Sequence, residues 1–149
     1  MEKAVRVSMY GTPGPVYIEL TADVLFGKIE NMPAILQPVP PVTTYLEKNP
    51  LSPEKVANTL ALLKMAKKPL VIVGKGIAYA DASEGMRSFL AKTNLPFLAT
   101  PMGKGVVDDK DPKSVAAART HVLEKSDVIF LCGARLNWML HFGLPPRFN

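Results

Sequence analysis

The chain has 149 residues, of which 48% are hydrophobic and 21% are charged. This length suits one domain with a substantial core, and the composition excludes a disordered, collagen-like or disulfide-stapled chain. The single cysteine, Cys132, cannot form an internal disulfide, so an intracellular location is predicted. The net charge of +5 is spread along the chain, and no apolar run approaches the roughly 18 residues of a membrane span. We therefore expect neither a nucleic-acid nor a membrane partner.

The first 25 residues predict a helix over 2–9, a glycine- and proline-rich turn over 11–15 and a strand over 16–20. One helix and one strand cannot bury their own apolar faces. These residues are therefore expected to be the trailing edge of a larger N-terminal domain. Prolines cluster after this segment, and residues 26–52 are predicted to form an extended linker.

From residue 53 onward the sequence predicts alternating helices and strands. Ser52 is expected to be the N-cap of the first helix, which Pro69 would end, and the apolar stripe of this helix is Val56, Leu60 and Leu63. Apolar runs predict strands at 70–73, 97–99 and 127–132. The two helices between them are expected to begin at caps formed by Asp81 and Ser114.

The order α-β-α-β-α-β predicts an α/β fold with an open parallel sheet and flanking helices. The final 13 residues carry Trp138, Leu140, Phe142 and Leu144 but no predicted partner element. The chain is therefore expected to be a fragment that is incomplete at both ends.

Glycine and a basic residue follow each predicted strand. The three segments are Gly74-Lys75-Gly76, residues 101–105 with Lys104, and Gly133-Ala134-Arg135. Ligands of open parallel sheets bind beyond the carboxyl ends of the strands, where glycine admits backbone N–H groups and Lys or Arg supplies the charge that phosphate needs. The pattern predicts a site for a nucleotide or another phosphorylated ligand.

Other kinds of site are less well supported by the sequence. Tyr79 occupies the third glycine position of the dinucleotide fingerprint, which opposes an NAD dehydrogenase. Cys132 ends an apolar strand and is interpreted as a buried structural thiol. His121 and His141 have no nearby second metal ligand, so no metal site is predicted. No catalytic acid/base pair or activated nucleophile is evident.

Residues 68–80, 95–107 and 133–138 closely resemble the thiamine-diphosphate-dependent 2-hydroxyacyl-CoA lyases and their relatives, the oxalyl-CoA decarboxylases. The tail over 140–147 is more similar to the lyases. The resemblance implies that residues 1–25 end a pyrimidine-binding domain, that 26–52 link the domains, and that 53–149 form a Rossmann-like central domain.

The same resemblance implies an ADP-type nucleotide in the central domain. Its site would consist of Gly74, Lys75, Gly76, Gly133 and Arg135, with the lysine and the arginine contacting phosphate. Thr12 stands where the family has an arginine that helps to hold the nucleotide, which predicts weak binding or none. Neither a catalytic residue nor a metal ligand is expected in this chain.

For the parent protein, the resemblance implies cleavage of a 2-hydroxyacyl-CoA to formyl-CoA and a shortened aldehyde, as in fatty acid α-oxidation. Thiamine diphosphate and Mg²⁺ would bind outside this chain, which alone would be inactive. The parent would be a homo-oligomer, expected to be a tetramer, located in peroxisomes in a eukaryote or in the cytoplasm in a bacterium. The alternatives are a fragment of an oxalyl-CoA decarboxylase and a non-catalytic nucleotide-binding or interaction module.

Overall fold

A computed structural model of the chain describes residues 1–28 and 50–148. The chain divides into two compact units, Met1–Asn49 and Pro50–Asn149. Most of the predicted linker, residues 29–49, lies outside the described residues, and the predicted domain boundaries stay predictions. Across the two described ranges, no helix has both the length and the apolar character that a membrane crossing requires.

The N-terminal unit contains two short helices, α1 at Glu2–Met9 and α2 at Ala22–Phe26. The first was predicted and the second was not. The predicted strand over 16–20 is wrong, because these residues form no strand ladder with any other part of the described chain. Alternating apolar residues can form a strand only where a partner supplies hydrogen bonds, and here Val16, Ile18 and Leu20 are exposed.

The second unit begins with α3, Pro53–Met65. As predicted, the Ser52 hydroxyl accepts a hydrogen bond from the Lys55 N–H at 3.2 Å, and a proline occupies the first turn. The predicted apolar stripe is only partly correct. Leu63 is buried, whereas Val56 and Leu60 are each 41% exposed.

Three parallel strands form the sheet: β1 at Pro69–Val73, β2 at Phe97–Ala99 and β3 at Val128–Cys132. Their order is β2-β1-β3, so β1 is central, as its apolar sequence requires. Val71 lies opposite Phe97 on one side and Phe130 on the other. The predicted parallel α/β architecture is confirmed.

Successive β1 side chains point to opposite faces of the sheet, and each face has its own core. On one face Val71 and Val73 pack with a first cluster, which contains Ile77, Leu90, Phe97, Val106 and Val107. On the other face Leu70 and Ile72 pack with a second cluster, which contains Leu98, Leu123 and Leu140. Three helices each supply one of these residues: α4 at Lys75–Tyr79 supplies Ile77, α5 at Ser83–Thr93 supplies Leu90, and α6 at Arg119–Lys125 supplies Leu123.

Two predicted helix caps are wrong. Asp81 has a left-handed backbone, with φ of 52°, and the cap residue of α5 is Ala82, which has no side-chain cap bond. Ser114 lies in an isolated parallel bridge with Phe97. The chain then makes a 3-10 turn at Ala116–Ala118 before α6 begins. Pairing alongside β2 thus takes Ser114 away from the cap position.

The C-terminal tail has a partner, contrary to expectation. It contains a 3-10 segment, Trp138–Gly143, whose Leu140 is 1% exposed and belongs to the second cluster. The Arg119 guanidinium at the start of α6 donates to the Met139 carbonyl oxygen. Trp138, Phe142 and Leu144 remain largely exposed.

The Asp127 carboxylate ties the end of the α3–β1 connection to the start of β3. It accepts the Lys67 N–H at 2.7 Å and the Lys68 N–H at 2.9 Å. The hydrogen bond from the Lys68 N–H is the largest cause that lowers the pKa of Asp127; desolvation opposes it, and the hydrogen bond from Lys67 helps to keep the pKa below its ordinary value of 3.8. The ionised form is therefore stabilised by folding.

We expect Asp127→Asn to lower the thermal midpoint at pH 7, because a neutral amide replaces the charged double acceptor. A carboxylate with a depressed folded-state pKa stabilises the fold fully above its unfolded value and loses that contribution as the pH falls through the folded value. The difference in thermal midpoint between wild type and variant should therefore disappear well below pH 3.8. Calorimetric melting measures it, with Asp109→Asn, which removes only a surface ion pair, as the control. A gap that stays constant down to low pH would contradict the argument.

Candidate functional site

The structure brings the three glycine-containing segments together at the carboxyl edge of the sheet. The Gly74 N–H donates to the Cys132 carbonyl oxygen at 2.8 Å, and the Gly76 N–H donates to the Gly133 carbonyl oxygen at 2.8 Å. The Thr100 N–H, after β2, donates to the Val73 carbonyl oxygen at 2.9 Å. All five predicted site residues therefore lie on two adjoining segments that follow β1 and β3.

The glycines at this edge allow close backbone packing. A Cβ on Gly74 would lie 2.5 Å from the Ala134 nitrogen and closer still to the Gly133 carbonyl oxygen. Gly133 has a left-handed φ of 59°, and a Cβ there would lie 2.6 Å from the Ile77 nitrogen. Only glycine fits at these positions, because the backbone segment after β1 is in direct contact with the one after β3.

This packing changes the interpretation of two N–H groups. The sequence predicted that the glycines expose backbone N–H groups to phosphate, but those of Gly74 and Gly76 already bond to carbonyl oxygens. The segment is also not the predicted loop, since α4 begins at Lys75. Any phosphate contact by this pair of segments therefore depends chiefly on the side chains of Lys75 and Arg135.

The segment after β2 is a compact turn at Pro101–Gly103. The Thr100 hydroxyl oxygen donates to the Val73 carbonyl oxygen at 3.2 Å and accepts the Gly103 N–H at 3.1 Å. Lys104 forms an exposed ion pair with Asp109, with the two charged atoms 3.6 Å apart. The lysine of this third segment thus already has an acidic partner on its own loop.

Lys75 has a different environment. It is half-buried, and its ammonium lies 4.5 Å from the centroid of the Tyr79 ring. Arg135 is exposed on the adjoining segment. Among the described residues, neither forms an ion pair with a carboxylate. Tyr79 is not among the predicted site residues, because the segment at 74–76 is predicted to be a loop; only the observed helix α4, in which Tyr79 follows Lys75 by four residues, brings the two side chains together.

The remaining candidates do not join this group. Cys132 is half-buried, and desolvation raises the pKa of its thiol to about 11, so the thiol stays protonated at neutral pH. His121 and His141 are exposed. The described residues contain no group of three or more His, Cys, Asp or Glu that could hold a metal ion.

A family model and individual relatives place the chain in the same protein family. The model for the central domain of thiamine pyrophosphate enzymes matches residues 56–149. The chain is 46% identical over 151 residues to 2-hydroxyacyl-CoA lyase 1 from Mus musculus, covering 100% of the chain and 25% of that protein. It is 40% identical over 148 residues to oxalyl-CoA decarboxylase from Escherichia coli strain K12, covering 96% of the chain and 25% of that protein. The chain spans about a quarter of the length of these curated relatives.

Proposed function

Because the chain belongs to the thiamine pyrophosphate enzymes, with residues 56–149 matching their central domain, we propose that it is a central-domain fragment of a 2-hydroxyacyl-CoA lyase. The observation that carries this proposal is the 46% identity to 2-hydroxyacyl-CoA lyase 1, which extends over the whole chain. In the proposed reaction a 2-hydroxyacyl-CoA is cleaved to formyl-CoA and a shortened aldehyde. Thiamine diphosphate, with Mg²⁺, would supply the electron sink for carbon–carbon cleavage and would bind in other domains.

The domain's own role in this proposal is structural support together with binding of ADP. The Gly76–Gly133 hydrogen bond joins the two segments that carry Lys75 and Arg135, so two basic side chains arise from neighbouring parts of one sheet edge. Phosphate oxygens are suitable partners for both groups. The acyl-CoA substrate, the homotetramer and the peroxisomal or cytoplasmic location belong to the same proposal and rest on the family resemblance.

The ADP site predicts a specific effect of Arg135→Ala in calorimetric titration of the purified chain with ADP. Loss of one charge-assisted hydrogen bond to phosphate should weaken binding at least about tenfold. Wild-type affinity should fall as salt rises, because phosphate recognition is electrostatic. Arg147→Ala removes an equal charge from a surface ion pair with Glu124 and is the matched control. Because Thr12 replaces the family's arginine, the proposal expects weak binding by the wild type, and a folded wild-type chain with no detectable ADP binding would contradict the nucleotide site.

The lyase assignment is tested by domain exchange. The chain would replace the matching quarter of the mouse lyase in one chimera and of the E. coli oxalyl-CoA decarboxylase in another. The higher identity to the lyase predicts that the first chimera keeps a larger share of its parent's activity, cleavage of a 2-hydroxyacyl-CoA to formyl-CoA, than the second keeps of oxalyl-CoA decarboxylation. The isolated chain, given thiamine diphosphate, Mg²⁺ and either thioester, should show no turnover.

Activity of the second chimera alone would favour the alternative, an oxalyl-CoA decarboxylase, to which the chain is 40% identical. Turnover by the isolated chain would contradict the supporting role proposed for this domain.

A further inference from the structure

Lys75 and Tyr79 lie on the same side of α4, four residues apart. The Lys75 ammonium is 4.5 Å from the centroid of the Tyr79 ring. A cation within about 6 Å of an aromatic face is attracted by the ring quadrupole. The ring therefore restricts a long side chain that would otherwise sample many rotamers.

The stability of α4 does not account for this lysine. Lys75 is the first residue of the helix, and the first turn of a helix favours acidic side chains over basic ones. Within the described parts of the chain no carboxylate forms an ion pair with Lys75, and the adjoining segment carries a second cation, Arg135. The arrangement leaves positive charge available to an anion at the carboxyl edge of β1.

We propose that Tyr79 is a positioning residue, which holds the Lys75 ammonium in place for a phosphate group of ADP. This inference rests on the proposed nucleotide site. The ring attracts the ammonium on one side and leaves N–H groups on the other side to donate to phosphate oxygens. Binding then immobilises a side chain that is already restricted, so less conformational entropy is lost.

The test is calorimetric titration of the full chain with ADP and with adenosine, which lacks phosphate. Tyr79→Leu removes the ring and should weaken ADP binding about two- to fivefold, the range of an exposed cation–π contact. Tyr79→Phe keeps a ring face and should stay within about twofold of wild type. Adenosine binding should be unchanged in both variants. In a Lys75→Ala background, which itself weakens ADP binding at least about tenfold, Tyr79→Leu should cause no further loss.

An NMR measurement without ligand separates the contact from its consequence. The ring current of Tyr79 should shift the Lys75 Hε resonances upfield in wild type and in Tyr79→Phe, and Tyr79→Leu should abolish that shift. Far-UV circular dichroism confirms that each variant is folded.

The outcomes distinguish this inference from the proposal on which it rests. Absence of ADP binding by wild type overturns the nucleotide site and this inference together. Binding that Arg135→Ala weakens but Tyr79→Leu leaves intact overturns the positioning role alone. An equal loss from Tyr79→Leu with and without Lys75 also overturns it, because the ring would then act independently of the lysine.

Discussion

Gly74→Ala should destabilise the second unit by about 3 kcal/mol, the upper part of the range for overpacking a close-packed site. The new methyl group would lie 2.5 Å from the Ala134 nitrogen, a separation that real Cβ atoms essentially never show. The opposing atoms are backbone atoms, which β1 and β3 hold in register. Because neither backbone segment can move without disturbing its strand, the strain is concentrated at the contact between the ends of β1 and β3.

Two other glycines of the unit provide a graded comparison. A Cβ on Gly76 would meet Gly133 at 2.9 Å, so Gly76→Ala should destabilise less than Gly74→Ala. Gly85 lies in α5, and nothing is within 4 Å of a Cβ there. Gly85→Ala should therefore stabilise the unit by about 0.5–1 kcal/mol, since alanine favours the helix and restricts the unfolded chain.

Urea unfolding followed by far-UV circular dichroism measures this series. The expected order of midpoints is Gly85→Ala above wild type, then Gly76→Ala, then Gly74→Ala. Total stability of a domain this size is about 5–15 kcal/mol, so the largest effect is readily measured. Equal midpoints for Gly74→Ala and wild type would show that the strand-end segments are not packed as described.

The same contact explains why the site was only partly predictable. Glycine and a cation after a buried strand correctly indicated the carboxyl edge of a parallel sheet, because topology alone brings those strand ends together. What Gly74 and Gly133 do there depends on the distance between two segments nearly 60 residues apart in sequence. No local pattern encodes that distance, so the sequence predicts N–H groups that are exposed to phosphate, whereas in the structure those of Gly74 and Gly76 bond to backbone carbonyl oxygens.

The fold shows the same division between local and tertiary information. The cap at Ser52 was predicted because its signal is contained within a few residues. The cap at Ser114 failed because a tertiary contact, the bridge to Phe97, determines the backbone there. The strand predicted at 16–20 is wrong because a tertiary contact is missing. The alternation of apolar residues is present, but the described chain supplies no strand to pair with it.

The C-terminal tail is the clearest case in which burial was hidden from the sequence. Its apolar residues are spread over a 3-10 segment with left-handed backbone at His141 and Phe142, so no helical or strand period connects them. Leu140 is buried, at 1% exposure, and Phe148 packs partly buried against the same cluster, whereas Leu144 is 59% exposed. The two leucines are chemically identical, and the structure assigns them opposite environments.

Leu140→Ala should therefore destabilise the second unit by about 2–5 kcal/mol, through lost burial and the cavity left among Leu70, Leu98 and Leu123. Leu144→Ala should change stability by less than about 0.5 kcal/mol, as surface substitutions do. Urea midpoints compare the two variants. Amide hydrogen exchange adds a local measurement, because the N–H of Phe142 donates to the Asn137 carbonyl oxygen at 3.0 Å.

If Leu140 anchors the tail, the exchange rate of the Phe142 N–H should rise in Leu140→Ala and should be unchanged in Leu144→Ala. Equal effects of the two substitutions would mean that the tail does not pack on the second cluster.

The packing of the tail also affects the carboxyl edge of the sheet, because the tail follows directly from Arg135. A seated Leu140 holds the chain from one side of that arginine while the Gly76–Gly133 hydrogen bond holds it from the other. The exposed guanidinium is thus carried by a segment that is held on both sides, which would lower the entropy cost of the phosphate contact proposed above.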